Sequence, residues 1–283
     1  MKRYLRRLAI ISILFLGLLI SFGSIRMLFI RHHSWSLPDN VHIVFLGASH
    51  FNKGIDDSLM KDAVNWSRAS ERYMYTYIKL QHLIPNNPQI DTVFLEFAPT
   101  DVWEDADYKY YDLNEQTGYV KSYWPFYNKD NWSVVLREPV QVVSLIIKSL
   151  FDTEDLRQGS WWKHLGGYEV VTDYMDPASV KENLELSRGY GNKVNYDYLR
   201  RIVDLCKSNN IKLIFLETPT YHPEYFFDQN YYYNAYRCFF SDVEFVDYSN
   251  WPAEYNERFD AHHLNDKGAK RFTKEIMNRF HIN

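Results

Sequence analysis

Cysteine is nearly absent from this chain: 283 residues include only Cys206 and Cys238. Two thiols cannot make a disulfide scaffold, so the fold must rest on a buried core. Leu199, Ile202, Val203 and Cys206 recur at helical spacing, which reads Cys206 as a small buried hydrophobe. An excess of positive charge is missing as well. The formal net charge is −4 and the pI about 6.2, which removes the electrostatic case for a nucleic-acid partner. Internal repeats and low-complexity tracts are also missing. Finally, no set of His, Cys and carboxylate residues has convincing metal-ligand spacing. Adjacent histidines such as His262-His263 rarely bind one ion, so neither a metal nor a cofactor is expected.

What is present begins at the N-terminus. Leu8 to Ile25 is an uncharged, mostly apolar run of 18 residues. At helical rise it spans about 27 Å, close to the hydrocarbon thickness of a bilayer. Lys2, Arg3, Arg6 and Arg7 precede it, and Arg26 and Arg31 follow. The heavier positive flank predicts a cytoplasmic N-terminus and an extracytoplasmic body, periplasmic or extracellular. Residues 8–30 are expected to be an uncleaved single-pass anchor in the lipid bilayer. The alternative is a cleaved signal peptide with Ser21-Phe22-Gly23 as its site. The expected organisation is a basic tail and anchor over 1–33, then one domain over 34–283.

Short apolar runs alternate with helical periodicity beyond the anchor. Strands are predicted at 42–46, 64–66, 91–97, 211–217 and 243–247. Helices are predicted at 71–84, closed by Pro85, at 195–207 and at 265–280. That alternation predicts an α/β fold, a parallel sheet covered on both faces. Residues 101–190 break it. They hold Trp103, Trp124, Trp132, Trp161 and Trp162, with a helical patch at 140–151 and turn signals at Gly159, Gly166-Gly167 and Pro177. The segment reads as an insertion after the third strand, a substrate cap or a docking surface. Aromatics make up 17% of the chain, and flat faces with polar tips suit sugar stacking as well as ordinary packing.

Two segments carry candidate chemistry. Ser49 follows the first strand within Gly47-Ala48-Ser49-His50. Asp260 and His263 stand three residues apart just before the last helix. Ligands of parallel sheets sit at the carboxyl ends of the strands, and topology puts all three residues there. They can supply the nucleophile, the base and the group that orients the base. His262 is the competing base. Asn265 is the better helix cap, which leaves Asp260 for another role. Arg68 and Glu71 could form an ion pair at the same edge. The acidic run Asp101, Glu104, Asp105 and Asp107 reads as a solvated face.

These segments resemble the SGNH (GDSL-like) hydrolase superfamily over most of 41–97 and 195–280. Gly47-Ala48-Ser49-His50 takes the place of the family's nucleophile block. Asp260-Ala261-His262-His263 matches its Asp-x-x-His block, followed by Leu264-Asn265 and Gly268. The resemblance implies a three-layer, flavodoxin-like fold and a Ser49, Asp260, His263 triad. The family's second block carries an oxyanion-hole glycine, but residues 65–71 contain none. Its third block carries an oxyanion Asn, but residues 96–101 contain none. His50, Arg68, Ser70 and Thr100 are the candidate substitutes.

The resemblance therefore implies a serine esterase or O-acyltransferase acting on an extracytoplasmic envelope glycan. A membrane-bound acyl donor protein would be a further partner. The rival reading is a non-catalytic anchored scaffold, with the aromatic insertion binding glycan or a membrane partner.

Overall fold

The four residues of β1 (Ile43–Leu46) are branched or aromatic, and the last three are fully buried. Such a run suits a strand covered on both faces. β2 (Ala63–Asn65), β3 (Thr92–Glu96), β4 (Lys212–Glu217) and β5 (Glu244–Asp247) complete the sheet. Every pairing is parallel, in the order β2-β1-β3-β4-β5. That is a doubly wound, flavodoxin-like order. All five strands lie within one residue of their predicted ends.

The computed structural model describes residues 1–31, 35–102, 113–136, 139–150, 165–180, 193–223 and 228–283. Its helices are α1 (Lys2–Arg31), α2 (Ser49–Gly54), α3 (Tyr73–Asn86), α4 (Pro99–Val102), α5 (Leu113–Tyr123), α6 (Lys129–Val135), α7 (Pro139–Leu150), α8 (Lys193–Ser208), α9 (Gln229–Phe239) and α10 (Asp266–Phe280). The chain divides into two compact units. One comprises Met1–Ser34 with Gln116–His164, the other Trp35–Glu115 with Leu165–Asn283. In the first, α1 packs against α7 and the turn Trp124–Phe126. From Lys2 to Ile25, α1 is long and apolar enough to cross a membrane.

The second unit is built around the sheet. Phe45 of β1, Phe94 of β3 and Ile214 of β4 are cross-strand partners on one face, which packs on Phe51 of α2 and on Phe272 and Ile276 of α10. Residues of the opposite parity point the other way. There Phe215 stacks on Phe97 at 4.8 Å and meets Phe240, while Leu199, Ile202 and Cys206 of α8 are fully buried. Burial pushes the Cys206 thiol up to about 12, so it is a packing group. Cys206 and the exposed Cys238 are both free.

Three expectations change. Helix α9 was not predicted. It buries Tyr232 and Ala235 and is capped by Asp228, which accepts the Asn230 and Tyr231 N–H groups. Helix α3 runs through Pro85 to Asn86. Its buried residues, among them Met74, Tyr75, Ile78 and Leu83, are not confined to one stripe. Asp101 is buried, not solvated: its carboxylate accepts the Ala98 N–H at 3.0 Å at the start of α4, and Asn195 donates to its carbonyl at 2.7 Å. Glu104, Asp105, Asp107, Trp103, Gly159, Trp161 and Trp162 lie outside the described residues.

Candidate active site

The nucleophile candidate sits where β1 turns into α2. Gly47 is required there: a Cβ on it would lie 2.3 Å from the Glu96 Cβ and 2.7 Å from Glu96 Oε2. That close approach brings the last residue of β3 beneath the turn. Glu96 Oε2 accepts the Ala48 N–H at 2.7 Å and the Phe51 N–H at 3.1 Å, one donor on each side of Ser49. Glu96 is buried, and burial together with the Asp101 charge pushes its carboxyl up to about 8, against the pull of the two N–H donors and Arg72. The Ser49 and His50 N–H groups, first in the helix, have no hydrogen-bond partner among the described residues. They are available to an oxyanion.

The base comes from a tight turn before α10. Arg258 and Leu264 form an antiparallel bridge, and the Phe259 N–H donates to the His263 carbonyl at 2.9 Å. Inside the turn, Asp260 Oδ1 accepts the N–H groups of His262 at 2.7 Å and His263 at 2.9 Å. Both carboxylate oxygens also lie 2.9 Å from His263 Nδ1. Burial pushes the Asp260 carboxyl up, but the His263 ring and the two N–H donors outweigh it and hold it at about 2. Asp260 is therefore ionised at neutral pH, which puts the imidazole proton on Nδ1. His263 Nε2 lies 2.8 Å from Ser49 Oγ, placed to accept a hydrogen bond from its hydroxyl.

The rest of the turn is held from several sides. Tyr221 N–H donates to the Ala261 carbonyl at 2.7 Å, and the buried Arg258 donates to the Pro219 carbonyl at 3.3 Å. Asn265 caps α10 by accepting the Gly268 N–H at 3.1 Å. Gly268 is itself required, since a Cβ there would lie 2.1 Å from the Glu257 carbonyl oxygen. The segment Leu165–Met175, within the expected insertion, runs along this edge. Its backbone pairs Gly167 with Ser67, Glu169 with Asn52, Val171 with Asp266 and Met175 with Arg258, at 2.7–2.9 Å. It enters through Gly166, whose φ of 135° and whose contact with the Trp66 and Ser67 carbonyls admit no Cβ.

His50 joins the same cluster. Its ring stands edge-on to His263 at 5.1 Å and lies nearly parallel to His262 at 6.5 Å. Burial first, then the charges of His263 and His262, lowers its pKa well below the usual histidine range, so the ring is neutral. Its Nδ1 faces Glu96 Oε1 at 4.0 Å. Burial lowers His262 too. No cluster among the described residues could hold a metal ion.

The structure thus brings Ser49, Asp260, His263 and His50 together. The other candidates make no hydrogen bond to Ser49 or His263. Arg68 spends its backbone N–H on the Gly47 carbonyl at 3.0 Å. Ser70 is exposed in a turn at φ 61°. Thr100 is half-buried in α4. Glu71 makes its close ion pair, at 2.6 Å, with Lys79, both fully buried, because α3 carries the lysine back over the turn, and the Arg68 charge also acts on the Glu71 carboxyl. Two features escaped sequence reading. The Glu96 clamp had one signal, a carboxylate ending an otherwise apolar strand. The Leu165–Met175 strap had only its glycine pair.

A family model matches residues 172–283, which hold β4, β5 and the Asp260–His263 turn. No curated protein matches the sequence. Among solved structures, the chain is similar to a protein provisionally named as a platelet activating factor from Streptococcus pneumonia. The two share 13% identity and a TM-score of 0.44, over 96% of this chain and 98% of that one. It is also similar to a GDSL-like lipase from Bacteroides thetaiotaomicron, at 9% identity and a TM-score of 0.39, over 92% of this chain and 97% of that one.

Proposed function

We propose that this chain is a membrane-anchored serine acyl-ester hydrolase or O-acyltransferase of SGNH type. One observation carries the reading: a single imidazole bridges Ser49 Oγ at 2.8 Å and the Asp260 carboxylate at 2.9 Å. In the reaction, Ser49 Oγ attacks an ester carbonyl as its proton passes to His263 Nε2. Asp260 stabilises the imidazolium, and the Ser49 and His50 N–H groups receive the negative oxygen. His263 then protonates the departing alkoxide, leaving an acyl-serine. Water or a sugar hydroxyl, deprotonated by His263, releases the acyl group. The ester is an O-acyl group on an extracytoplasmic envelope glycan, a class suggested by the N-terminal helix and the aromatic-rich composition. A membrane-bound acyl donor protein would serve the transferase branch.

The second reading is the anchored, non-catalytic scaffold. It is favoured by one observation: residues 96–101, which follow the third strand, contain no Asn to donate to an oxyanion. Both readings meet one experiment, with a fluorophosphonate label and an acetyl-ester assay on the full chain. Wild type is expected to label at Ser49 and release acetate, and Ser49→Ala to do neither. Asp260→Asn would present the wrong tautomer of His263 and lower kcat by about ten-thousand-fold. Folded wild type that neither labels nor turns over favours the scaffold. Equal turnover by Ser49→Ala removes the serine mechanism.

A further inference from the structure

Helix α7 has three faces. Val142, Leu145 and Ser149 are buried, with Ser149 Oγ accepting from Trp124 Nε1 at 3.1 Å. One position earlier along the helix, Gln141, Ser144 and Lys148 form an exposed polar stripe. One position earlier again, Val140, Val143 and Ile147 are also exposed, by 81%, 48% and 39%. Successive residues turn by about 100°, so these are separate stripes, one inward, one polar and one apolar outward. A water-facing helix has no reason to carry the third. An interfacial helix does, with its apolar stripe in acyl chains and its polar stripe among headgroups.

The neighbour of α7 sets the depth. Among the described side chains of α1, only Leu19, Gly23 and Met27 are not exposed. They are four residues apart and mark one covered face. Leu150 of α7 packs on Gly23, its Cδ2 3.6 Å from where a Cβ would stand. Leu19 precedes Ile25, the end of the uncharged run, by six residues, which is about 9 Å of helix. If α1 spans a bilayer, its covered face therefore begins at acyl depth. Helix α7 has 12 residues, about 18 Å, against a hydrocarbon core of about 30 Å, so it cannot cross.

We infer that α7 is a second membrane contact. It lies in the leaflet opposite the Lys2–Arg7 cluster, with Val140, Val143 and Ile147 in the acyl chains and Lys148 reaching the headgroups. The occupant of the apolar stripe is lipid, because Leu150, which lies beside Val143 and Ile147 on the helix, packs on Gly23 of α1, whose exposed side chains include Leu14, Phe15, Leu18, Ile20 and Phe22. The inference rests on reading α1 as the anchor.

The test uses the full chain in phosphatidylcholine–phosphatidylglycerol vesicles, in a Cys238→Ser background. Single cysteines replace Val143, Ile147, Ser144, Ile20 or Glu244, each carrying an environment-sensitive fluorophore. The expected result is quenching at 143 and 147 by nitroxide-bearing lipid, as strong as at 20, with iodide ineffective. Position 144 is expected to respond to both quenchers, and 244 to iodide alone. Iodide quenching at 143 and 147 overturns the inference. Protection there from both quenchers also overturns it, since a protein partner would then cover the stripe. Position 20 judges the anchor independently: lipid quenching at 20 without quenching at 143 removes α7 from the membrane and keeps α1 in it.

Discussion

Glu96 and His50 are buried on opposite sides of one titration problem. Folded Glu96 keeps its proton to about 8, whereas an unfolded glutamate releases it near 4.3. Between those values the folded state binds more protons, so this group's contribution to stability falls as pH rises through the window. His50 acts in the opposite direction. The unfolded ring takes a proton near 6.5 and the folded one does not, so stability falls as pH drops below that value. Glu96→Gln isolates the first effect. The amide oxygen can still accept from Ala48 and Phe51, but it cannot ionise. Its Tm is expected to decline less than that of wild type between pH about 5 and about 8, with turnover kept. An equal decline in both proteins, followed by calorimetry, would deny Glu96 this titration. Glu96→Ala, which strands two N–H donors at about 1–3 kcal/mol each, is expected to lose kcat by loosening the Ser49 turn.

At the scale of elements, the strands were legible because apolar runs with branched and aromatic residues have few other uses in a chain of this length. Helices α8 and α10 were legible from periodicity, and α10 also from its cap. Helix α9 was not. Its Asn and repeated Tyr residues carry little apolar periodicity, and the buried Tyr232 stacks on Phe97 and donates its hydroxyl to the Phe97 carbonyl at 2.6 Å, across 135 residues of sequence. Lys79 as the close partner of Glu71 was hidden for a similar reason: helix geometry brings it there, and spacing along an unassigned turn does not show it. The placement of Ser49 beside His263 was an argument from topology. The Glu96 clamp needed the β1–β3 register, which no single sequence displays. Asn265 tests how far one cap matters. Besides its bond to Gly268, its amide donates to the Asp173 carbonyl at 3.1 Å and the Asn256 carbonyl at 3.0 Å. Asn265→Ala therefore loses a cap of about 1 kcal/mol and the bonds to the carbonyls of Asp173 and Asn256, both exposed residues that water can reach, for a total of about 1–2 kcal/mol. Urea unfolding of wild type and variant measures it. A loss under about 0.5 kcal/mol would mean that water replaces these bonds.

At the scale of the whole molecule, everything proposed about substrate depends on which side of a membrane the second unit occupies. Four cations stand before the apolar run of α1 and two after it, Arg26 and Arg31. Loop charge close to a span orients it, so the heavier flank is expected to remain in the cytoplasm. A reporter enzyme that folds only under oxidising conditions, fused after residue 33, is then expected to be active, and a cytoplasmic fluorescent reporter at the same junction dark. The reverse pattern would put Ser49 in the cytoplasm and remove envelope glycan as its substrate. The orientation should also follow charge. Replacing Lys2, Arg3, Arg6 and Arg7 with Asn leaves Arg26 and Arg31 as the only flanking cations, and a growing fraction of chains is expected to insert inverted, seen as protease protection of the second unit in spheroplasts. If the four-residue variant keeps the wild-type pattern, flank charge is not what orients α1. The membrane contact of α7, whose Leu150 packs on Gly23, would then be the next determinant to alter.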